Sequence, residues 1–128
     1  MMAERPRARR ILVAEDEASI LVSLEFLLAQ AGYEVHTAAD GEETLRALHA
    51  MRPDLVLLDL MLPVVDGFEI CRRLRADPDL AATRIVVLTA KGGSSEIARG
   101  WALGVDAYVT KPFATRELLD TLGRILGR

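Results

Sequence analysis

Four stretches of the chain are apolar, and each ends in a polar residue. Ile11-Leu12-Val13-Ala14 runs into Glu15-Asp16, Leu55-Val56-Leu57-Leu58 into Asp59, and Ile85-Val86-Val87-Leu88 into Thr89. A more mixed run, Ala107-Tyr108-Val109-Thr110, leads into Lys111. Short apolar runs of this kind read as strands. Between them the period changes to that of a helix. Ile20, Leu21, Leu24, Leu27, Leu28 and Ala31 share one face over residues 17–31, and Gly32 ends the helix. Residues 33–38 alternate apolar and polar, as a strand with one wet face does. Asp40-Gly41-Glu42-Glu43 has the form of a capping box opening a helix to Met51. Further helices are expected from Asp66-Gly67 to Ala76 and over 95–103, the latter closed by Gly104. Thr115 is expected to cap a last helix that buries Leu118, Leu119, Leu122 and either Ile125 or Leu126.

Strand and helix patterns thus alternate five times without a long linker. That predicts an α/β fold, a five-stranded parallel sheet with helices on both faces. The first, third and fourth strands are uniformly apolar and belong at the centre, while the mixed second and fifth belong at the edges. The order 2-1-3-4-5 satisfies both conditions. It puts the change of winding direction between strands one and three, where Glu15, Asp16 and Asp59 emerge. Open parallel sheets bind ligands outside the carboxyl ends of their strands at such a point.

Composition narrows the classes. The 128 residues suit one domain, and a net charge of −3 gives no reason to expect direct nucleic-acid binding. Arg5, Arg7, Arg9 and Arg10 gather positive charge at the start. Residues 1–9 are read as a solvated basic tail and 10–128 as the domain. Cys71 is the only cysteine, so no disulfide forms within the chain; beside Ile70 and Leu74 it reads as a core residue. No apolar run approaches the roughly 18 residues of a membrane span, and no signal-peptide pattern opens the chain. A cytoplasmic protein is the expectation.

The polar strand ends carry the chemistry. Carboxylates crowded into one crevice stay ionised only beside a cation. Mg²⁺ favours a few carboxylates together with water and phosphate oxygens. Asp16 and Asp59 suit direct ligation, with Glu15 direct or through water. A carboxylate beside such an ion can act as nucleophile toward a phosphoryl donor. The Lys111 ammonium and the Thr89 hydroxyl can then serve the phosphoryl oxygens. Each residue taken singly has an ordinary alternative: Asp16 as a helix cap, Thr89 in a turn, Lys111 as a surface charge. Their joint placement at matching strand ends argues for a site.

These segments resemble response-regulator receiver domains of the CheY-like type, over residues 10–128. The resemblance lies in Ile11-Leu12-Val13-Ala14-Glu15-Asp16-Glu17, in Asp59-Leu60-Met61-Leu62-Pro63 with Asp66-Gly67, in Thr89-Ala90, in Gly104-Val105-Asp106-Ala107-Tyr108, and in Lys111-Pro112-Phe113. It implies a flavodoxin-like fold and assigns Asp59 as phosphoacceptor. The donor would be a phosphohistidine of a sensor histidine kinase or histidine phosphotransfer protein. Glu15, Asp16 and Asp59 would hold Mg²⁺, joined by the Met61 backbone carbonyl. Thr89 and Tyr108 would form a switch pair that reshapes the face of helix four, strand five and helix five, for a downstream protein or a homodimer. Lys111-Pro112 would be a cis peptide. Glu15 in place of the commoner aspartate, and Ala107 where an acid often stands, are departures. Neither Met61 nor Lys91 is an evident orienter of attacking water, so slow loss of the phosphoryl group is expected.

Val22, Phe26 and Ala29 fall on the outer side of the first helix, where the resemblance implies a histidine-bearing helix would dock. Trp101 is expected to be core or half-buried. An aspartyl-nucleophile phosphohydrolase is the alternative function, but such enzymes place Asp-x-Asp after the first strand. Here Asp59-Leu60-Met61 follows the third. Gly92-Gly93-Ser94-Ser95 lacks the Gly-Lys-Ser/Thr ending of a P-loop.

Overall fold

The computed structural model describes residues 8–89 and 94–127. Its elements run β1 (Arg10–Ala14), α1 (Ala18–Gln30), β2 (Glu34–Ala38), α2 (Gly41–Met51), β3 (Leu55–Asp59), α3 (Gly67–Ala76), β4 (Arg84–Thr89), α4 (Ser94–Ala102), β5 (Ala107–Thr110) and α5 (Thr115–Leu126). All strands pair in parallel, in the order β2-β1-β3-β4-β5. The uniformly apolar strands are the three central ones, as their hydrophobicity requires.

Side-chain alternation along the central strands divides the core in two. Ile11, Val13, Leu55, Leu57, Val86 and Leu88 face Leu24 and Leu28 of α1 and Leu118, Leu122 and Leu126 of α5. Leu12, Ala14, Val56, Leu58, Ile85 and Val87 face Leu48 of α2 and Ile70, Cys71 and Leu74 of α3. Cys71 is fully buried, and burial pushes its thiol pKa up to about 11, so it is a packing residue. Val22 and Phe26 stand outside the core at 64% and 66% exposure.

One local expectation changes. The N-cap of α5 is Ala114, with no side-chain cap bond, and Thr115 is already helical. Thr115 is therefore not the cap. Arg10 opens β1, as its place at the start of the domain implies: its backbone N–H donates to Asp54 Oδ2 at 2.7 Å, and its Nε donates to Glu34 at 2.9 Å. Trp101 keeps to its expectation, half-buried at 51% exposure. The capping box of α2 does form. Glu43 N–H donates to Asp40 Oδ1 at 2.7 Å, and Glu43 Oε1 accepts from Ala39 N–H at 3.2 Å. Lys91 and the glycines at 92 and 93 lie outside the described residues, as do residues 1–7.

Candidate functional site

Backbone pairing carries each polar residue to the same edge of the sheet. Glu15 N–H donates to the Ala38 carbonyl at 3.0 Å, extending the β1–β2 ladder by one residue. Asp59 is the last residue of β3, opposite Leu88. Thr89 ends β4 opposite Thr110, and the next donor along, Lys111 N–H, reaches the Thr89 carbonyl at 2.7 Å. The chain then turns through a cis Lys111-Pro112 bond, as the resemblance implied.

Oxygens of Glu15, Asp16 and Asp59 lie within 4.8 Å of one another. Glu15 and Asp59 are buried, and Asp16 stands open at the rim. Lys111 Nζ lies 2.6 Å from Glu15 Oε1 and 3.4 Å from Asp59 Oδ2. Asp59 Oδ1 accepts from Met61 N–H at 2.9 Å, and Glu15 Oε2 accepts from Glu17 N–H at 3.0 Å. Glu15 Oε1 is buried and ion-paired with the Lys111 ammonium, which it shares with Asp59. Burial raises the Glu15 pKa, and the Asp59 charge adds to this against the opposing pull of Lys111 and the Glu17 N–H. Burial alone would lower the Lys111 pKa, but the contact with Glu15 and the two carboxylate charges outweigh it and raise it.

Three carboxylates converging on a single shared ammonium fit a hard divalent cation. The donor set is all oxygen, with no thiolate or imidazole among these residues. Thr89 shares the edge but makes no hydrogen bond to the cluster among the described residues. Met61 turns its side chain to solvent at 78% exposure, so only its backbone faces the site. Tyr108 engages α4, its hydroxyl donating to the Ile97 carbonyl at 2.9 Å. Burial raises its pKa.

Gly41 and Gly67, which open α2 and α3, also shape the site. A Cβ on Gly67 would lie 2.7 Å from Leu60 Cα and 3.0 Å from the Asp59 carbonyl oxygen. One on Gly41 would lie 2.0 Å from the Val65 carbonyl oxygen, and Gly41 N–H donates to the Pro63 carbonyl at 2.9 Å. Both helices therefore press onto the loop after Asp59. The available signal was the residue type itself: glycine in a first helical turn has poor propensity and needs a packing reason.

The family model for the response regulator receiver domain matches residues 11–123. The chain belongs to the response-regulator receiver family. Receiver domains of two-component systems act as signalling switches. The phosphate regulon transcriptional regulatory protein PhoB of Rhizobium meliloti (strain 1021) is 45% identical over 119 residues, which are 93% of this chain and 52% of that protein. This receiver spans about half the length of the curated relatives it matches. Among solved structures, the chemotaxis response regulator CheY4 of Vibrio cholerae superposes with a TM-score of 0.88 at 34% identity, covering 93% of this chain and 99% of that one. The receiver domain of sensor histidine kinase PA1611 from Pseudomonas aeruginosa PAO1, with a magnesium ion coordinated in its active site cleft, gives 0.86 at 32% identity, covering 95% and 100%. No helix among the described residues is long and apolar enough to cross a membrane.

Proposed function

We propose that this receiver is switched by phosphorylation of Asp59. An Asp59 carboxylate oxygen attacks the phosphorus of a phosphohistidine on a sensor histidine kinase or histidine phosphotransfer protein in the cytoplasm. The O–P bond forms as the N–P bond breaks, and the imidazole nitrogen leaves with the bonding pair. Glu15, Asp16, Asp59 and the Met61 backbone carbonyl would hold Mg²⁺, which supplies charge neutralisation between the carboxylates and the incoming phosphoryl oxygens. Lys111 gives a second positive charge, and the Thr89 hydroxyl a neutral donor. Tyr108 and Thr89 then relay occupancy of Asp59 to the face of α4, β5 and α5, where a downstream protein or a second copy would read it.

The observation that carries this reading is the convergence of Glu15, Asp16, Asp59 and Lys111 on one sheet edge, three carboxylates around one ammonium. The magnesium in the active site cleft of the similar PA1611 receiver supports the choice of ion. The test is incubation with acetyl phosphate and Mg²⁺. The expected result is stoichiometric labelling that disappears in Asp59→Asn and on chelation. Sustained release of phosphate from many monoesters would support the phosphohydrolase instead.

A further inference from the structure

Three consecutive residues of α4 each reach a neighbour outside their own helix. Arg99 lies over the ring of Phe68 in α3, its guanidinium carbon 4.1 Å from the centroid. Gly100 lies beneath Tyr108, where a Cβ would come within 1.6 Å of the tyrosine hydroxyl oxygen. Trp101 meets the Tyr108 ring edge to face, with centroids 5.2 Å apart and planes at 69°. The Tyr108 hydroxyl completes the arrangement by donating to the Ile97 carbonyl at 2.9 Å. One missing side chain, one hydrogen bond and one aromatic contact therefore hold the ring on α4.

Trp101 contributes little to the core, since half of it stays in water. Its organised contact is with Tyr108. Tyr108 in turn sits opposite Val87 on β4, two residues before Thr89 at the edge that carries Asp59. On its other flank, α4 is tied through Arg99 to Phe68, the residue after Gly67, which packs on the Asp59 loop.

We propose that Gly100 and Trp101 form a seat for Tyr108 that sets how readily this receiver switches. They are positioning residues acting through Tyr108. The inference rests on the reading of Asp59 as phosphoacceptor and of Tyr108 as the ring that responds. A ring leaving the seat gives up the bond to Ile97 and the edge contact with Trp101. Any ligand at Asp59 that favours the released ring must overcome both, so weakening the seat raises the apparent affinity for that ligand.

Trp101 is the only tryptophan, so its emission reports the seat directly. In the wild-type chain, Mg²⁺ with beryllofluoride, a tetrahedral phosphoryl mimic, is expected to change that emission, and Asp59→Asn to abolish the change. Trp101→Ala and Gly100→Ala are each expected to raise the labelling rate at low acetyl phosphate about five-fold, the worth of one aromatic contact. Trp101→Phe, which keeps an edge contact, stays within about two-fold of wild type. A purely structural role would lower the melting temperature of Trp101→Ala without raising its labelling rate, and that result overturns the seat. So does a wild type that is labelled while its emission stays constant. A wild type that takes no label at all overturns the reading of Asp59, and the seat with it. Trp101→Ala decides the question by itself if Gly100→Ala does not fold.

Discussion

The two edges of the sheet each hold a cluster of charges, and the clusters are built in opposite ways. At the amino-terminal edge, Arg75 of α3 reaches across to the starts of β4 and β5. Its guanidinium donates to the carbonyls of Ala81 at 3.0 Å, Thr83 at 2.7 Å and Gly104 at 2.7 Å, and to Asp106 Oδ2 at 3.2 Å. Asp106 Oδ2 also accepts from Ile85 N–H at 2.7 Å, and Arg84 approaches Oδ1 at 3.5 Å. Even the backbone is fitted to the arginine. Gly104 has φ +86°, and a Cβ there would lie 2.8 Å from Arg75 Nε. At the carboxyl-terminal edge, one ammonium is shared between two buried carboxylates, and a third carboxylate stands at the rim. A cluster with every donor used is a staple. One that leaves three carboxylates to a single ammonium carries excess negative charge, which a bound cation would relieve.

The sharpest way to break this contrast is to remove the central cation from each cluster. Lys111→Met takes away the cation that, among the described residues, touches the Glu15 and Asp59 carboxylates. Losing one charge-stabilising donor of this kind slows transfer about 100-fold, read as the rate of labelling by acetyl phosphate. A slowing of less than about three-fold would remove Lys111 from the chemistry. Arg75→Met should act next in size and in the other currency. It removes the ion pair to Asp106 and the donors to the carbonyls of Ala81, Thr83 and Gly104, of which the Thr83 bond is partly buried. A loss of about 2 kcal/mol in urea denaturation is expected, with the labelling rate of the folded protein unchanged. If Arg75→Met slowed labelling as much as Lys111→Met, the edges would not be functionally distinct.

The sequence revealed one of these clusters and not the other. The strand order and the acidic edge were legible because parallel strands buried on both faces must be apolar throughout. The first polar residue after each run, Glu15, Asp59, Thr89 and Lys111, marks the sheet edge by itself. Nothing local marks Arg75. On its helix it reads as one of three arginines in the last turns of α3, off the period of Ile70, Cys71 and Leu74, and its partner Asp106 lies 31 residues away. The close approaches of Gly41, Gly67 and Gly100 were hidden for a related reason. Each depends on what another element brings above the helix: the Val65 carbonyl, the Leu60 backbone or the Tyr108 hydroxyl. The cap expected at Thr115 failed because a threonine there fits the first turn as well as the cap, and Ala114 took the extended backbone instead.

The finest test of the contrast is a single atom pair at the carboxyl-terminal edge. Glu15→Gln keeps the shape of the side chain and removes one buried negative charge. Because burial raises the Glu15 pKa in the fold above its ordinary 4.5, the native state holds its proton more tightly than the unfolded chain does. The stability Glu15 contributes is therefore complete below about pH 4.5 and falls as pH rises through its folded pKa. At pH 7, in metal-free protein, Glu15→Gln should accordingly be more stable than wild type by about 1 kcal/mol, and the two should converge at pH 4. Saturating Mg²⁺ should reverse the order by stabilising wild type more than the variant, since only the charged carboxylate answers the ion. Thermal melts at pH 4 and 7, with EDTA and with Mg²⁺, read all four conditions. A Glu15→Gln protein less stable than wild type at pH 7 without metal would mean that Glu15 is a satisfied structural acid, and the two edges would then be built alike.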